Sequence, residues 1–282
     1  MRNDAQNSSL HGLRLIGQGR EADVYEYQDG RVLKLFRAPG LSARVAFEIS
    51  ALEAARSAGV PVPAVYEEVE VDGRLGLVME HLKGSDLLTI IARKPWLVFR
   101  CGRLTGETHA RINAARAPAS LPSVLEVMSR GLARLARSEP VLAEWVERIL
   151  AHLPDGDALC HGDFHPGQMM LSGDQQAAFD WSGAKRGDPL FDYARTRVLL
   201  SMGEPPPGSG LPLKLLAKIG RRLVISSYVT SYERSAVERV DRARVRHWEI
   251  VNLAVRLLDD IPGERPRLFR RLQKDFARRQ VS

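Results

Sequence analysis

Strand and helix signals are distributed unevenly along this chain of 282 residues. Five short runs rich in β-branched and aromatic residues lie within residues 12–82, and Asp-Gly pairs at 29–30 and 72–73 predict tight hairpins between them. A helical pattern separates the third run from the fourth. Beyond Gly84, apolar residues three and four positions apart predict helices, interrupted by a strand-rich island at 158–181. This order predicts an α+β fold: a small antiparallel sheet with one helix, then a larger and mostly helical part, with residues 1–11 as a tail.

Composition argues against several classes of protein. The apolar stretch LPLKLLAKIGRRLVISSYV is interrupted by four basic residues, so we interpret it as an amphipathic helix rather than a membrane span. Cys101 and Cys160 lack the spacing of metal ligands, and we expect them to be buried thiols of a cytoplasmic protein. The formal charge is +7, but basic residues are interspersed with acidic ones, so neither a nucleic acid nor a membrane is expected as a partner.

The stretch IGQGREADVY places Gly17 and Gly19 between two predicted strands. A dinucleotide-binding turn is excluded, because its glycines open a helix. Glycines in a hairpin allow backbone N–H groups to approach a phosphate closely, although a simple glycine turn would have the same pattern.

Lys34 lies inside the apolar strand RVLKLF, where an unpaired ammonium group would be costly to bury. Strand alternation places it on the same face as Val32 and Phe36. Glu48 on the following helix is a candidate partner, with Glu53 as a rival. The alternative is an edge strand that points Lys34 into solvent.

The loop HGDFHPGQMM, residues 161–170, contains Asp163 and Gln168, and Asp180 follows at the end of another predicted strand. Asp180 and Gln168 offer oxygen ligands of the kind Mg²⁺ prefers, which leaves Asp163 free to orient a hydroxyl group. His161 and His165 lack a third ligand at zinc-like spacing. Without its context, the loop could equally be a structural turn.

Taken in order, these signals resemble the protein-kinase-like fold, and in detail they resemble its aminoglycoside phosphotransferase and choline kinase branch. That family's loop reads HGDxHPGN, and the chain has HGDFHPGQ. Its metal segment reads IDWxxxxxGDPxxDLA, and the chain has FDWSGAKRGDPLFDYA. GVPVP at 59–63 and LVMEHLKGSDL at 77–87 also match. The resemblance covers residues 12–200 and implies two lobes, 12–82 and 83–282, with a catalytic loop at 161–170 and a metal segment at 179–192.

The resemblance also implies a role for each matching residue in an ATP- and Mg²⁺-dependent reaction. Asp163 would be the catalytic base, Asp180 and Gln168 would hold Mg²⁺, and Lys34, fixed by Glu48, would contact the α- and β-phosphates. The remaining nucleotide-binding residues would be the phosphate-loop glycines Gly17 and Gly19, the hinge residues Met79, Glu80, His81 and Leu82, the adenine roof Ile16, Val24 and Val32, and an adenine floor of Met170 or Leu171. Three further residues are interpreted as supporting the fold, namely His161, Asp188 and Asp192.

Two departures from the family's pattern bear on activity. Gln168 stands where the family has Asn, which leaves a catalytically weak or inactive ATP-binding pseudokinase as an alternative. Ala22 stands where a full G-x-G-x-x-G would have its third glycine.

The acceptor is expected to be a hydroxyl group of a small molecule. Asp188 follows Asp180 within eight residues, which leaves no room for a peptide-binding segment, so an atypical protein kinase is the weaker alternative. Residues 183–282 contain 21 Lys and Arg against 11 Asp and Glu, which favours a neutral or anionic acceptor over a polycationic aminoglycoside. Trp248, Glu249 and Arg256 could face this cleft, although core packing is the preferred interpretation of Trp248.

Overall fold

A computed structural model of the chain describes residues 10, 12–19, 21–37, 42–202, 211–261 and 263–279. Apart from Leu10, the predicted tail at 1–11 lies outside the described residues, as does the predicted loop at 203–210. None of the helices in the described ranges is long and apolar enough to cross a membrane.

The N-terminal part is a five-stranded antiparallel sheet with one helix, as predicted. Its elements are β1 (Leu15–Gln18), β2 (Ala22–Tyr27), β3 (Arg31–Phe36), α1 (Ser42–Ser57), β4 (Val65–Val71) and β5 (Arg74–Glu80). The strands lie in the order β1-β2-β3-β5-β4. Asp72 and Gly73 have φ angles of 50° and 71° in the β4–β5 turn, which explains the Asp-Gly pair at that hairpin.

Strand β3 lies at the centre of the sheet and separates two sets of buried side chains. Leu33 and Leu35 pack in a small cluster on one face. Val32 and Phe36 pack on the other face, with residues of α1. Because β3 is paired on both sides, the alternative that Lys34 lies on an edge strand is wrong.

The C-terminal part is mostly helical, as predicted. Its helices are α2 (Leu87–Arg93), α3 (Val98–Ala114), α4 (Val124–Leu135), α5 (Pro140–Leu150), α6 (Pro189–Met202), α7 (Leu211–Ser235), α8 (Arg242–Arg256) and α9 (Arg265–Arg279). Helices α3 and α7 approach closely at Gly102 and Gly106, where an added Cβ would lie 2.7 Å from Ser227 Cβ and 2.5 Å from Tyr228 O. At its other end, α3 contacts the strand before the predicted catalytic loop, because Asn113 Nδ2 donates to Leu159 O at 3.0 Å. Cys101 and Cys160 are buried free thiols, as expected.

Five short strands form two further small sheets in the described residues. They are β6 (Ser85–Asp86), β7 (Ala158–Cys160), β8 (Met169–Ser172), β9 (Gln175–Ala178) and β10 (Lys185–Gly187). β7 pairs with β10, and β6, β8 and β9 form a second small sheet. Because the predicted catalytic loop leaves β7 and enters β8, and the predicted metal segment leaves β9 and enters β10, the two sheets hold both segments side by side.

Candidate active site

Lys34 lies at the centre of the site, between α1 and the segment that follows β9. Its Nζ donates to Glu48 Oε1 at 2.6 Å and to Asp180 Oδ1 at 3.2 Å. Glu48 is buried on α1, whereas Glu53 is exposed. The structure therefore confirms that Glu48 rather than Glu53 pairs with Lys34, and it adds Asp180 as a second partner.

The two carboxylates favour the charged form of Lys34. Burial lowers the pKa of Lys34, but the negative charges of Glu48 and Asp180 outweigh this effect and hold the pKa above its ordinary value. Burial raises the pKa of Glu48, and Lys34 offsets only part of that rise. Burial also opposes the charge of Asp180, yet Lys34 and a hydrogen bond from Ser182 hold its pKa below the ordinary value. The side chain of Asp180 is 43% exposed, so it faces Lys34 on one side and solvent on the other.

Asp180 adopts a left-handed backbone conformation, with φ 60° and ψ 69°. Among non-glycine residues, Asp and Asn tolerate this conformation best. Its Oδ1 accepts from Ser182 Oγ at 2.9 Å, and no described residue donates to its Oδ2. The N–H of Phe179 donates to Gln168 O at 3.0 Å, which brings Gln168 and Asp180 onto adjacent segments.

His161 connects the loop 161–170 to the segment that carries Asp180. Its ring is buried near the rings of Phe164 and Trp181, with centroid distances of 5.3 and 4.7 Å. Its Nε2 lies 3.1 Å from the carbonyl oxygen of Phe179, to which it donates. Because burial lowers the pKa of His161, the ring is neutral at pH 7. These contacts confirm that His161 supports the loop.

The backbone turns sharply at Gly162, immediately before Asp163. Gly162 has a φ of 80°, and an added Cβ would lie 2.2 Å from the carbonyl oxygen of Gly183, so no other residue fits. Asp192 on α6 accepts from the N–H of His161 at 2.6 Å and from the N–H of Gly162 at 2.9 Å. The prediction that Asp192 holds the loop together is confirmed.

Asp192 is fully buried and also accepts from His109 Nε2 at 3.0 Å and Asn113 Nδ2 at 3.2 Å. Burial opposes its charge, but His109 and the backbone N–H groups outweigh that effect and hold the pKa of Asp192 well below its ordinary value. We expect Asp192→Asn to destabilise the protein by about 3 kcal/mol, because the amide nitrogen would face donors. Urea unfolding would measure this loss, with Asp157→Asn, a change at an exposed carboxylate, as the matched control. A loss no larger than that of the control would contradict the role of Asp192.

Two cations lie beside the Gly162 turn. The Nε of Arg195, on α6, donates to the carbonyl oxygen of Gly162, and its Nη2 lies 3.7 Å from Asp163 Oδ1. The Nζ of Lys185, on β10, donates to Gly183 O at 2.6 Å. The dense protein surroundings of this ammonium group, together with the positive charge of Arg195, lower the pKa of Lys185 to about 8. We did not predict either residue from the sequence, because nothing local links β10 or α6 to the loop.

Gly17 lies in β1 opposite Val24 of β2, and Gly19 lies in the turn that follows β1. The N–H of Gly19 donates to Ala22 O at 2.8 Å, which closes the turn. A Cβ added at Gly19 would lie 3.2 Å from that oxygen, whereas one added at Gly17 would make ordinary contact with Val24 at 3.6 Å. The turn therefore favours glycine over a larger residue at position 19, whereas a side chain would fit at position 17.

The predicted hinge and adenine-contacting residues lie near one another. The N–H of Glu80 donates to Ala64 O, but the N–H groups of His81 and Leu82 donate to no described residue. One hydrophobic cluster includes four of the predicted adenine contacts, Val24, Val32, Met79 and Leu171. Ile16 is 39% exposed, and Met170 lies outside this cluster, so Leu171 is the better placed of the two floor candidates.

The comparison with known proteins agrees with this geometry. The profile of the phosphotransferase enzyme family matches residues 12–211, which is most of the chain. The chain belongs to this family. No curated protein sequence matches it.

Solved structures of family members and related kinases share the fold at low identity. An aminoglycoside-3'-phosphotransferase of type VIII has 18% identity and a TM-score of 0.61, with 86% of this chain and 93% of that chain covered. Aminoglycoside phosphotransferase APH(4)-Ia has 14% identity and a TM-score of 0.63, with 94% and 92% covered. A choline/ethanolamine kinase family protein from Mesorhizobium loti has 18% identity and a TM-score of 0.54, with 95% and 87% covered. These similarities confirm the predicted bilobal protein-kinase-like fold.

Asp180 and Gln168 offer oxygen atoms of the kind that Mg²⁺ prefers. Mg²⁺ takes few protein ligands in nucleotide-binding sites and relies on phosphate and water for the rest. Asp180 Oδ2 accepts no hydrogen bond from a described residue, and the backbone of Gln168 lies on the adjacent segment. Within the described ranges, no group of three His, Cys, Asp or Glu residues could hold a metal ion.

The late helix α8 contributes to the core rather than to the nucleotide site. Trp248 is fully buried, and its Nε1 donates to Asp188 Oδ2 at 2.6 Å, which confirms that it packs in the core and that Asp188 is structural. Glu249 is buried and pairs with Arg197 at 3.0 Å, so the idea that it faces the cleft is wrong. Arg256 pairs with Glu264 at 2.8 Å.

Proposed function

We propose that this protein is an ATP- and Mg²⁺-dependent O-phosphotransferase that acts on a hydroxyl group of a small molecule. The observation that carries the proposal is the position of the Lys34 ammonium group, 2.6 Å from Glu48 and 3.2 Å from Asp180. These residues come from a strand, a helix and a distant loop. Membership of the phosphotransferase enzyme family supports a kinase-type reaction at these residues.

ATP would bind between the sheet and the helical part. Lys34 would contact the α- and β-phosphates, and the turn at Gly17 and Gly19 would cover the triphosphate. The N–H groups of His81 and Leu82 are free to bond adenine, next to Glu80 and the apolar side chain of Met79. Solved structures of similar kinases in complex with AMP-PNP or ADP support a nucleotide as the ligand.

Asp180 and Gln168 would hold Mg²⁺, which supplies positive charge that offsets the phosphate oxygens. Asp163 would accept the proton of the acceptor hydroxyl, since it follows the fixed turn at Gly162 and its side chain is 43% exposed. A carboxylate on a fixed backbone next to a bound nucleotide can orient a hydroxyl group in line with the transferred phosphate. The buried free thiols Cys101 and Cys160 are consistent with a cytoplasmic location.

A neutral or anionic acceptor fits the charges near Asp163 better than a polycation does. Arg195 lies 3.7 Å from the carboxylate of Asp163, and Lys185 lies behind the same turn. Both would repel an ammonium group brought close to the base. Relatives crystallised with hygromycin B or kanamycin show that the fold accepts aminoglycosides, so the charge of the acceptor has to be tested directly.

A transfer screen with radiolabelled ATP tests the proposal. It would include aminoglycosides, macrolides, choline, amino sugars and hydroxy amino acids, each with Mg²⁺ and with EDTA. We expect label on at least one neutral or anionic compound, and loss of that label with EDTA. Label on the protein itself or on an added protein, and on no small molecule, would instead indicate an atypical protein kinase.

Gln168 motivates the second candidate function, an ATP-binding pseudokinase. Its side chain is one methylene longer than the Asn that the family has at this position, which can displace a metal ligand. We expect Gln168→Asn to keep or raise the transfer rate and to lower the Mg²⁺ concentration needed for half-maximal rate. Gln176→Asn, the same change outside the site, is the matched control. A tenfold fall in rate would show that the longer side chain is needed, and ATP binding without any transfer would favour the pseudokinase.

A further inference from the structure

We propose that Lys185 and Arg195 are positioning residues, which hold the Gly162 turn in place and so direct the carboxylate of Asp163 toward the acceptor hydroxyl. This inference rests on the proposed function, because it concerns the same reaction. It assigns a role to two cations that lie outside the metal and nucleotide sites.

Arg195 contacts both groups that define the orientation of Asp163. Its Nε donates to the carbonyl oxygen of Gly162, and its Nη2 lies 3.7 Å from Asp163 Oδ1. A guanidinium group is planar and rigid, so anchoring one nitrogen fixes where the others point. The distance of 3.7 Å is too long for a hydrogen bond, so the carboxylate is attracted to Arg195 but remains free to accept a proton.

Lys185 packs against the same turn. Its Nζ donates to Gly183 O at 2.6 Å, and that oxygen lies against the α-carbon of Gly162. The same Nζ lies 3.0 Å from the position that a Gly162 Cβ would occupy. Lys185 is therefore bonded to its own segment and packs directly against the Gly162 turn.

Burying the charged ammonium group of Lys185 costs folding free energy, which indicates that the residue serves the active site rather than the stability of the fold. Lys185 makes one hydrogen bond, to Gly183, within the described residues, and its pKa is lowered to about 8 by dense packing and by the positive charge of Arg195. An apolar side chain of similar length would avoid that cost. Residues whose local environment lowers the stability of a protein are commonly found at catalytic sites.

Arg186 provides a matched control, because it is the next residue of β10 and points away from the turn. Its Nη1 donates to Gly156 O at 2.9 Å, and its Nη2 lies 3.8 Å from Asp155. Arg186→Met removes a positive charge from the same strand without touching the Gly162 turn.

The experiment compares Lys185→Met, Arg195→Gln, Arg195→Lys and Arg186→Met with the wild type. We would measure kcat and KM for the acceptor found in the screen, hydrolysis of ATP without acceptor, the Kd for ATP with Mg²⁺, and the midpoint of thermal unfolding. We expect kcat to fall about 10- to 100-fold in Lys185→Met and Arg195→Gln. The acceptor KM, the nucleotide Kd and the unfolding midpoint should stay close to those of Arg186→Met, and Arg195→Lys should recover part of kcat.

The experiment distinguishes a failure of the positioning role from a failure of the proposed function. If the wild type transfers phosphate but Lys185→Met and Arg195→Gln match Arg186→Met in kcat, the positioning role is wrong and the proposed function stands. If kcat, nucleotide affinity and thermal stability fall together in both variants, the two residues are structural and the inference is likewise overturned. If the wild type binds ATP but transfers phosphate neither to water nor to any hydroxyl compound, the proposed function fails and the positioning role fails with it.

Discussion

Asp163→Asn is expected to lower the rate of phosphate transfer about 1,000-fold, because the amide cannot accept the proton of the acceptor hydroxyl. Binding of ATP with Mg²⁺ should be unchanged, since the proposed nucleotide contacts come from Lys34, Asp180 and the sheet. Asn has nearly the same shape as Asp, and Gly162 and Asp192 would still hold the turn. Single-turnover transfer to the acceptor and nucleotide binding by calorimetry would separate the two effects.

Asp174→Asn is the matched control for this change. Asp174 is fully exposed at the turn between β8 and β9 and contacts Arg100 at 3.3 Å. The same chemical substitution there should leave the transfer rate at the wild-type value. An Asp163→Asn protein that transfers phosphate as fast as Asp174→Asn would contradict the role of Asp163 as the base.

Lys34→Met is expected to have the second largest effect, on both activity and stability. It removes the proposed phosphate contact, and we expect transfer to fall about 100-fold or more. It also leaves Glu48, which is only 1% exposed, without its ion-pair partner at 2.6 Å. Breaking a buried pair in this way costs roughly 3 kcal/mol at neutral pH. Equilibrium unfolding in urea would measure the loss.

The pH dependence of that loss has a definite sign. Burial already raises the pKa of Glu48, and without Lys34 that carboxylate becomes still harder to ionise in the folded state. A carboxyl group with a raised folded pKa destabilises the protein most above that pKa, and the penalty shrinks as pH falls toward the unfolded value. The stability of Lys34→Met should therefore approach that of the wild type near pH 5 and fall below it toward pH 8.

The double variant Lys34→Met/Glu48→Gln separates the two consequences. The neutral amide introduced at position 48 removes the buried charge, so we expect most of the lost stability to return while transfer stays low. If the double variant regained activity together with stability, Lys34 would matter only for folding, and its proposed contact with phosphate would be wrong.

The main elements of the fold were predictable because their signals are local. Runs of β-branched residues and Asp-Gly pairs indicated all five strands of the large sheet, and β2 and β3 have the bounds that their sequence patterns predict. Helix geometry shows only that Glu48 and Glu53 point in different directions. The family resemblance favours Glu48, and its contact with Lys34 confirms that preference. The idea that Glu249 faces the cleft was wrong because the same spacing argument cannot tell which neighbour a helix packs against.

The sequence by itself determined which chemical groups are available, since the motifs HGDFHPGQ and FDWSGAKRGDP specify Asp163, Gln168 and Asp180 through residue type and spacing. Only the tertiary structure decided that Lys34 reaches Asp180, and that Arg195 and Lys185 both lie beside Gly162. The physical reason is that spacing along the chain governs contacts within one helix, strand or turn. Contacts between distant segments depend instead on how the sheets and helices pack, which no single stretch of sequence encodes.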